Sequence, residues 1–503
     1  MTERNIHDCD ILVAGAGFGG SLMALVLNSQ GFRVCLVEKG QHPRFAIGES
    51  STPIADMILR QISQQYNLPW LKDFSRYGSW QQSHPEIVCG IKRGFSYFKH
   101  YPGKEFTSDI NHTNELLVAA STDNMQSDTN WLRADFDAFL VTKVKEAGIV
   151  YADLTEIISA ERDTRWKFQT NGDKSSDITA SFFIDATGSG GLLDRLLGIK
   201  SSSNDFLTDS FAVFSHFNNV PRWTDMLQEA GIPISDFPYD PDNSALHQIL
   251  DEGWLWMLRF NDERTSIGFA LNRQKNNFEG VPAKQIWDNL LEKYPTIHNL
   301  LNNAPLSSQP GTILKSGRLQ RKIERCVGPG WAALPHTAGF VDPLFSSGIA
   351  HSLSGIQKVA GVIEQYWGDD DQLHQASAKY QDGVFEELKL IDQLVAGCYQ
   401  TMDRFGLFNA WSMLYFAATI AYEQRLLKQM QPGYFLGADD LPMREMINLC
   451  YQDLTEIIRK QHVTANDISQ FTELIRQRIA PVNIAGLLDP ALKNMYPHTA
   501  VNL

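Results

Sequence analysis

The segment Gly15-Ala-Gly-Phe-Gly-Gly20 has the residue types and spacing to cradle phosphates. Gly15 permits a tight turn, Gly17 has no Cβ to hold a pyrophosphate away from the backbone, and Gly20 lets a following helix pack closely on the preceding strand. The N-terminus of that helix adds free N–H groups and a partial positive charge. Glu38 follows Gly20 by about 18 residues, where a carboxylate binds both ribose hydroxyls of a dinucleotide. An acid at that position disfavours a 2′-phosphate, so FAD or NAD is favoured over NADP. Further along, Arg133 opens Arg-Ala-Asp-Phe-Asp137, Asp185-Ala-Thr-Gly188 follows some 50 residues later, and Gly339, Asp342 and Gly348 precede a helical segment. Distant segments returning to one dinucleotide, in this order, point to FAD.

Elements of the right kind surround these residues. Residues 10–14 (DILVA) read as a buried strand, residues 21–29 as a helix stopped by Gly31, and residues 34–37 (VCLV) as a second strand. Together they form a βαβ unit. Residues 135–147 read as a helix and 181–184 as a strand. Residues 206–217 and 254–271 alternate and are rich in aromatic and β-branched side chains, which predicts an antiparallel second sheet. A strand at 331–334 leads into Gly339–Gly348 and a helix through about Trp367. Asp369 to Asp371 read as a solvated loop and boundary, with no metal site expected. Helical periodicity dominates beyond, with Phe385, Leu388, Ile391, Leu394 and Val395 on one face, while 461–470 and 484–491 read as connections. The fold class is therefore α/β: an FAD-binding Rossmann-like domain, a second, antiparallel sheet and a helical C-terminal region. The core is expected over 1–370, with FAD segments at about 8–60, 130–200 and 315–370 and the second sheet at about 80–125 and 200–315. The helical region spans 371–503.

Composition narrows the function classes. Of 503 residues, 43% are hydrophobic and 20% charged, ordinary for a globular protein, and the formal net charge of −14 opposes nucleic-acid backbones as partners. Six scattered cysteines form no CxxC pair, which fits reduced thiols in a cytoplasmic protein. Residues 1–10 carry no signal-peptide pattern. The apolar stretch 405–422 is interrupted by Asn409, Ser412 and Thr419, which suits a buried helix better than a membrane span, so no stable membrane insertion is expected.

Nearly the whole chain resembles the flavin-dependent halogenases. The resemblance rests on the glycine fingerprint, His42-Pro-Arg-Phe45 through Gly48-Glu-Ser-Ser-Thr-Pro53, Cys89-Gly-Ile-Lys-Arg-Gly-Phe-Ser-Tyr-Phe98, Gly253-Trp-Leu-Trp256 and Gly339-Phe-Val-Asp-Pro-Leu-Phe-Ser-Ser-Gly348. It implies an FAD domain of the GR2 (PHBH) type with the antiparallel sheet on the substrate side, and that reduced FAD from a separate flavin reductase, with oxygen, oxidises chloride or bromide to hypohalous acid. Lys92 would direct that acid to an electron-rich ring, either as a hydrogen-bond donor or as a haloamine. The resemblance places Ser346 beside the flavin or the lysine, and the halide on the backbone N–H groups of Ser347 and Gly348. It brings Ser50, Thr52 and Pro53 near the flavin, alongside Gly15, Gly17, Gly20, Glu38, Arg133, Asp185, Gly188 and Asp342. Trp254 and Trp256 match the paired tryptophans of the family and line the expected substrate pocket with Phe345, Phe408 and Trp411.

Three departures bear on this. Leu258-Arg259 stands where the family has Ile-Pro, Pro335-His336 where many relatives have Gly-Asp, and Phe345 where tryptophan halogenases carry Glu. Without that carboxylate, a phenol-like aromatic small molecule fits better than tryptophan. The alternatives are an aromatic monooxygenase, which Arg259 would favour, a flavin-dependent reductase of isoprenoid double bonds resembling geranylgeranyl reductase, and a flavin carrier without turnover. Oligomeric state stays open, a homodimer included.

Overall fold

The structure is a computed structural model, and it describes residues 6–172, 176–276, 278–428 and 433–501. The βαβ unit comprises strand Ile6–Ala14, helix Phe18–Ser29 and strand Val34–Val37. The two strands pair in parallel, and Ile6–Ala14 also pairs in parallel with Asp177–Asp185. Val150–Ala152 and Trp331–Ala333 extend the parallel sheet on either side. Its strands are almost continuously apolar because helices cover both faces. The carboxyl ends of Ile6–Ala14 and Asp177–Asp185 meet at Ala14 and Asp185, so the glycine turn and the Ala-Thr-Gly188 turn open side by side, where open α/β sheets bind ligands.

The second sheet runs in the order Leu314–Arg318, Ser210–Asn218, Arg264–Asn272, Gly253–Arg259, Ala245–Ile249, Gly94–Lys99, Glu115–Ala119 and Met495–Tyr496. It is antiparallel except at two junctions: Ala245–Ile249 runs parallel to Gly94–Lys99, and Met495–Tyr496 runs parallel to Glu115–Ala119. The expected strand at 206–217 starts later, because the Asp392 carboxylate takes the N–H groups of Leu207 (2.7 Å) and Thr208 (3.0 Å).

Two helical expectations are corrected. The break expected at Asp369 to Asp371 is confined to residues 367–369: Asp370 and Asp371 are helical, and the Asp369 side chain accepts from Gln372 N–H and caps the 32-residue helix Asp370–Thr401. Residues 461–470 are not a connection throughout, since Thr464 and Asp467 form a reciprocal capping box that starts helix Ala465–Ile479. Phe405–Leu427 is a buried helix, and among the described residues no helix is long and apolar enough to cross a membrane. The C-terminal helices share one continuous core with the parallel sheet, whereas a second core lies on the other face of the second sheet. All six cysteines are free and buried.

Candidate active site

A cavity of about 830 Å3 runs from the glycine turn to the inner face of the second sheet. At the first end, Gly15 adopts φ +94°, and a Cβ on Gly20 would meet Gly15 O at 1.9 Å, so the turn and the helix interlock only as glycines. The Glu38 carboxylate accepts from Ala16 N–H and Gly40 N–H, both at 2.8 Å, which holds it at the cavity wall. Arg133 forms a two-pronged pair with Asp137 at 2.9 and 2.8 Å and donates to the carbonyls of Ile47 and Gly48. Its guanidinium therefore points at Gly17. A Cβ on Gly17 would lie 3.6 Å from Arg133 Nη2 and 3.9 Å from Arg44 Nη2. Asp137 Oδ2 lies 3.7 Å from the same position and Arg44 Nη2 is 3.7 Å from Glu38, so both arginines are held by acids. The glycine at a helix N-terminus, with Arg44 and Arg133 beside it, still suits a pyrophosphate, and the residues fit FAD.

Asp185 does not line the cavity. It takes Thr187 N–H and Oγ1–H at 2.8 and 2.7 Å and so shapes the turn that presents Thr187 and Gly188 to it. His336 does line it. Its ring packs so tightly that a Cβ on Gly19 would approach to 2.6 Å, and burial pushes the imidazole down to about 4, leaving it neutral. Ser50 is a wall residue with a buried Oγ that lacks a partner.

At the far end, Trp254 and Trp256 stand 5.9 Å apart on one strand, and both face the cavity. Trp254 donates to Tyr399 OH (3.1 Å), which donates to Asp342 (2.8 Å), and Ser210 Oγ donates to the same oxygen of Asp342 (2.7 Å). This relay ties the second sheet to the loop carrying Asp342, whose carboxyl burial pushes up to about 6. Ser346, Ser347 and Gly348 are also wall residues. Ser346 holds φ +51°, and the turn starts helix Ser347–Tyr366, whose first N–H groups open at the cavity.

Lys92 sits apart from this cavity and is fully buried. Strand Cys89–Lys92 pairs antiparallel with Asp128–Trp131, which sets Lys92 opposite Asp128. Its Nζ donates to Ser51 O and lies 4.0 Å from the centre of the Phe95 ring. Burial pushes the amine down to about 8, against the pull of Asp128 and Asp56. Burial raises both carboxyls, Asp128 to about 6 and Asp56 well above its usual range; the charge of Asp128 adds to the rise at Asp56, whereas the hydrogen bond from Asp56 holds Asp128 lower. An Asp128→Asn variant should therefore lower the Lys92 titration below that of the wild type, read from the 15N shift of its amine against pH. An unmoved titration would remove Asp128 from the lysine's environment.

Sequence reasoning missed Ser51, Asp56 and Asp128. Only Asp128 had a signal, as an acid in the buried-strand pattern Asp-Thr-Asn-Trp131. Thr52 and Pro53 border a second, small cavity rather than the large one. Phe345, expected in the substrate pocket, lines neither cavity and stacks on Tyr415 with ring centres 4.1 Å apart. Phe408 and Trp411 line neither cavity. Phe408 packs on Tyr97, and Trp411 donates to Leu394 O (2.7 Å), closing the contact between two helices. Leu258 lines the large cavity, but Arg259 does not. Its guanidinium pairs with buried Asp242 at 2.6 Å and donates to Val220 O and Pro221 O. It is an anchor of the second sheet, and its presence no longer argues for a hydroxylase.

The family model described as tryptophan halogenase matches residues 122–412. The chain belongs to the tryptophan halogenase family. Monodechloroaminopyrrolnitrin halogenase PrnC of Pseudomonas fluorescens is 27% identical over 441 residues, covering 85% of this chain and 75% of its own. Tetracycline 7-halogenase of Kitasatospora aureofaciens is 22% identical over 524 residues, covering 99% and 92%. The crystal structure of the halogenase PltM in complex with phloroglucinol and FAD has a TM-score of 0.88 at 23% identity, covering 97% of this chain and 99% of that one. The halogenase is thus an FAD-dependent oxidoreductase, and its fold accounts for both ends of the large cavity.

Proposed function

We propose that this halogenase halogenates a phenolic or similarly electron-rich aromatic small molecule, with Lys92 as the catalytic residue that delivers the halogen. The observation that carries the reading is Lys92 itself: a fully buried amine, depressed to about 8, placed against an aromatic wall and separate from the flavin cavity. Reduced FAD, supplied by a separate flavin reductase, provides the oxygen chemistry that turns halide into hypohalous acid. Gly15, Gly17, Gly20, Glu38, Ser50, Arg133, Gly188 and Asp342 hold the cofactor in the large cavity. Chloride or bromide rests on the N–H groups of Ser347 and Gly348, where a helix N-terminus favours an anion, and Ser346 hydrogen-bonds beside it. Lys92 donates a hydrogen bond to the hypohalous oxygen or carries the halogen on its neutral amine. The ring attacks the halogen and the carbon–halogen bond forms. From hypohalous acid the oxygen–halogen bond breaks and the ring proton leaves with the oxygen as water, whereas from the halogenated amine, which formed with loss of that water, the nitrogen–halogen bond breaks and the ring proton restores the amine. Trp254 and Trp256 make the far end of the large cavity apolar, which limits loss of the oxidant to solvent.

Support for a phenol comes from Phe345, which stacks on Tyr415 where a tryptophan-type site would carry a carboxylate, and from PltM, whose complex contains phloroglucinol. The test is an assay with FAD, flavin reductase, NADH, oxygen, bromide or chloride, and phloroglucinol or resorcinol, read by mass spectrometry. Product with a halogen isotope pattern is expected. A hydroxylated product with no halogen would overturn the reading.

A further inference from the structure

The second cavity borders the Lys92 cluster but opens onto different residues. Thr52, Phe95, Tyr415, Phe416, Glu423 and Thr499 enclose it. Phe95, the ring beneath the Lys92 amine, meets Phe416 edge-on at 5.6 Å and Tyr415 at 6.4 Å. Two polar groups break this aromatic lining. Thr52 is 2% exposed, and its Oγ1 has no hydrogen-bond partner. Glu423 is 3% exposed; its Oε2 accepts from Val501 N–H at 3.0 Å, and its Oε1 takes no hydrogen bond among the described residues. Buried polar groups without partners are costly unless a ligand or water completes them. Burial and nearby Asp128 push the Glu423 carboxyl up to about 8, so at neutral pH it is an uncharged acid suited to a neutral ligand.

Building on the phenol reading above, we propose that Glu423 and Thr52 bind the free hydroxyl of the aromatic substrate and hold its ring against Phe95 for halogen delivery. The hydroxyl accepts from Glu423 Oε1–H and donates to Thr52 Oγ1. The space, about 20 Å3, takes a hydroxyl-sized group as it stands; the ring is admitted when Phe416 and Tyr415 change rotamer. An O-alkyl ether has no donor and would leave Thr52 Oγ1 unpaired against an apolar methyl group. Sites built to hydrogen-bond a hydroxyl reject such analogues strongly. The pair therefore selects free phenols over their ethers.

The experiment measures binding of phloroglucinol and 1,3,5-trimethoxybenzene to the FAD-loaded enzyme by calorimetry, with steady-state KM and kcat for phloroglucinol alongside. Wild type should bind phloroglucinol at least ~10-fold more tightly than the ether. Glu423→Met, with unchanged FAD binding and thermal midpoint, should weaken phloroglucinol at least ~10-fold and raise KM in step. If that variant fails to fold, Thr52→Val, which removes the hydroxyl at nearly constant shape, carries the same test with a smaller expected loss. Wild type that halogenates phloroglucinol, with folded variants matching it in affinity and KM, overturns this assignment alone. Wild type that ignores phloroglucinol but halogenates a non-phenolic arene overturns the phenol reading and this assignment with it.

Discussion

Replacing Lys92 with Met should abolish aromatic halogenation, by about 100-fold or more in kcat/KM, while FAD binding and coupled NADH and oxygen consumption continue. The magnitude follows from losing a group that acts on the reacting halogen and is paid for nowhere else in the site. Met fills similar volume in the buried space without a charge. Asp128 loses its cation and Asp56 remains close by, so the carboxyl pair retains protons and the fold tolerates the change. The oxidant formed in the large cavity would then escape, and a soluble thioether added to the assay should become oxidised. Lys92→Arg should not rescue the reaction, because a guanidinium is larger and offers no neutral amine near pH 8. A Met variant that halogenates at the wild-type rate would remove Lys92 from the chemistry.

Gly20→Ala should both destabilise the protein and release the cofactor. The added Cβ would lie 1.9 Å from Gly15 O, a backbone atom that no rotamer change can move aside. Helix Phe18–Ser29 would have to lift from strand Ile6–Ala14, at a cost of about 3 kcal/mol or more. Its N–H groups would leave the pyrophosphate position at the same time. The expected result is a lowered thermal midpoint and FAD affinity weakened at least ~10-fold, measured by flavin fluorescence. Gly361→Ala is the control: it sits inside helix Ser347–Tyr366 with nothing within 4 Å of its Cβ position, and alanine there should be neutral or slightly stabilising. Equal behaviour of the two variants would show that the close approach at Gly20 is not what holds the turn.

The sequence was most informative where the determining contacts are local. The βαβ unit was legible because strand, turn, helix and strand lie within one short stretch, and period and glycine placement decide their geometry there. The capping box of Thr464 and Asp467 was equally local, and its helix was nonetheless read as a connection; the four-residue signal was present in Thr-Ala-Asn-Asp467. Lys92 stood out through family resemblance and through its position in an aromatic strand. Its environment did not, since Ser51, Asp56, Asp128 and Phe95 come from separate segments and meet only through the pairing of Cys89–Lys92 with Asp128–Trp131 and the packing of helix Pro53–Gln65.

Helical spacing likewise failed to separate wall from core on helix Phe405–Leu427. Phe408, Trp411, Tyr415 and Phe416 are all buried aromatics, yet only the last two reach a cavity. The same residue types satisfy either neighbour, and the choice depends on which element packs on each face. Arg259 is the converse case: a charge that suggested different chemistry is neutralised by Asp242, a partner on another strand connection. Sequence alone thus determined the nucleotide-binding unit, the FAD class of cofactor and the family, because these rest on short-range geometry and contiguous motifs. The tertiary structure decided which acids surround the lysine, which aromatics line the second cavity, and that Glu423 lies among them, because burial and proximity between distant segments are set only when the sheets and helices close on one another.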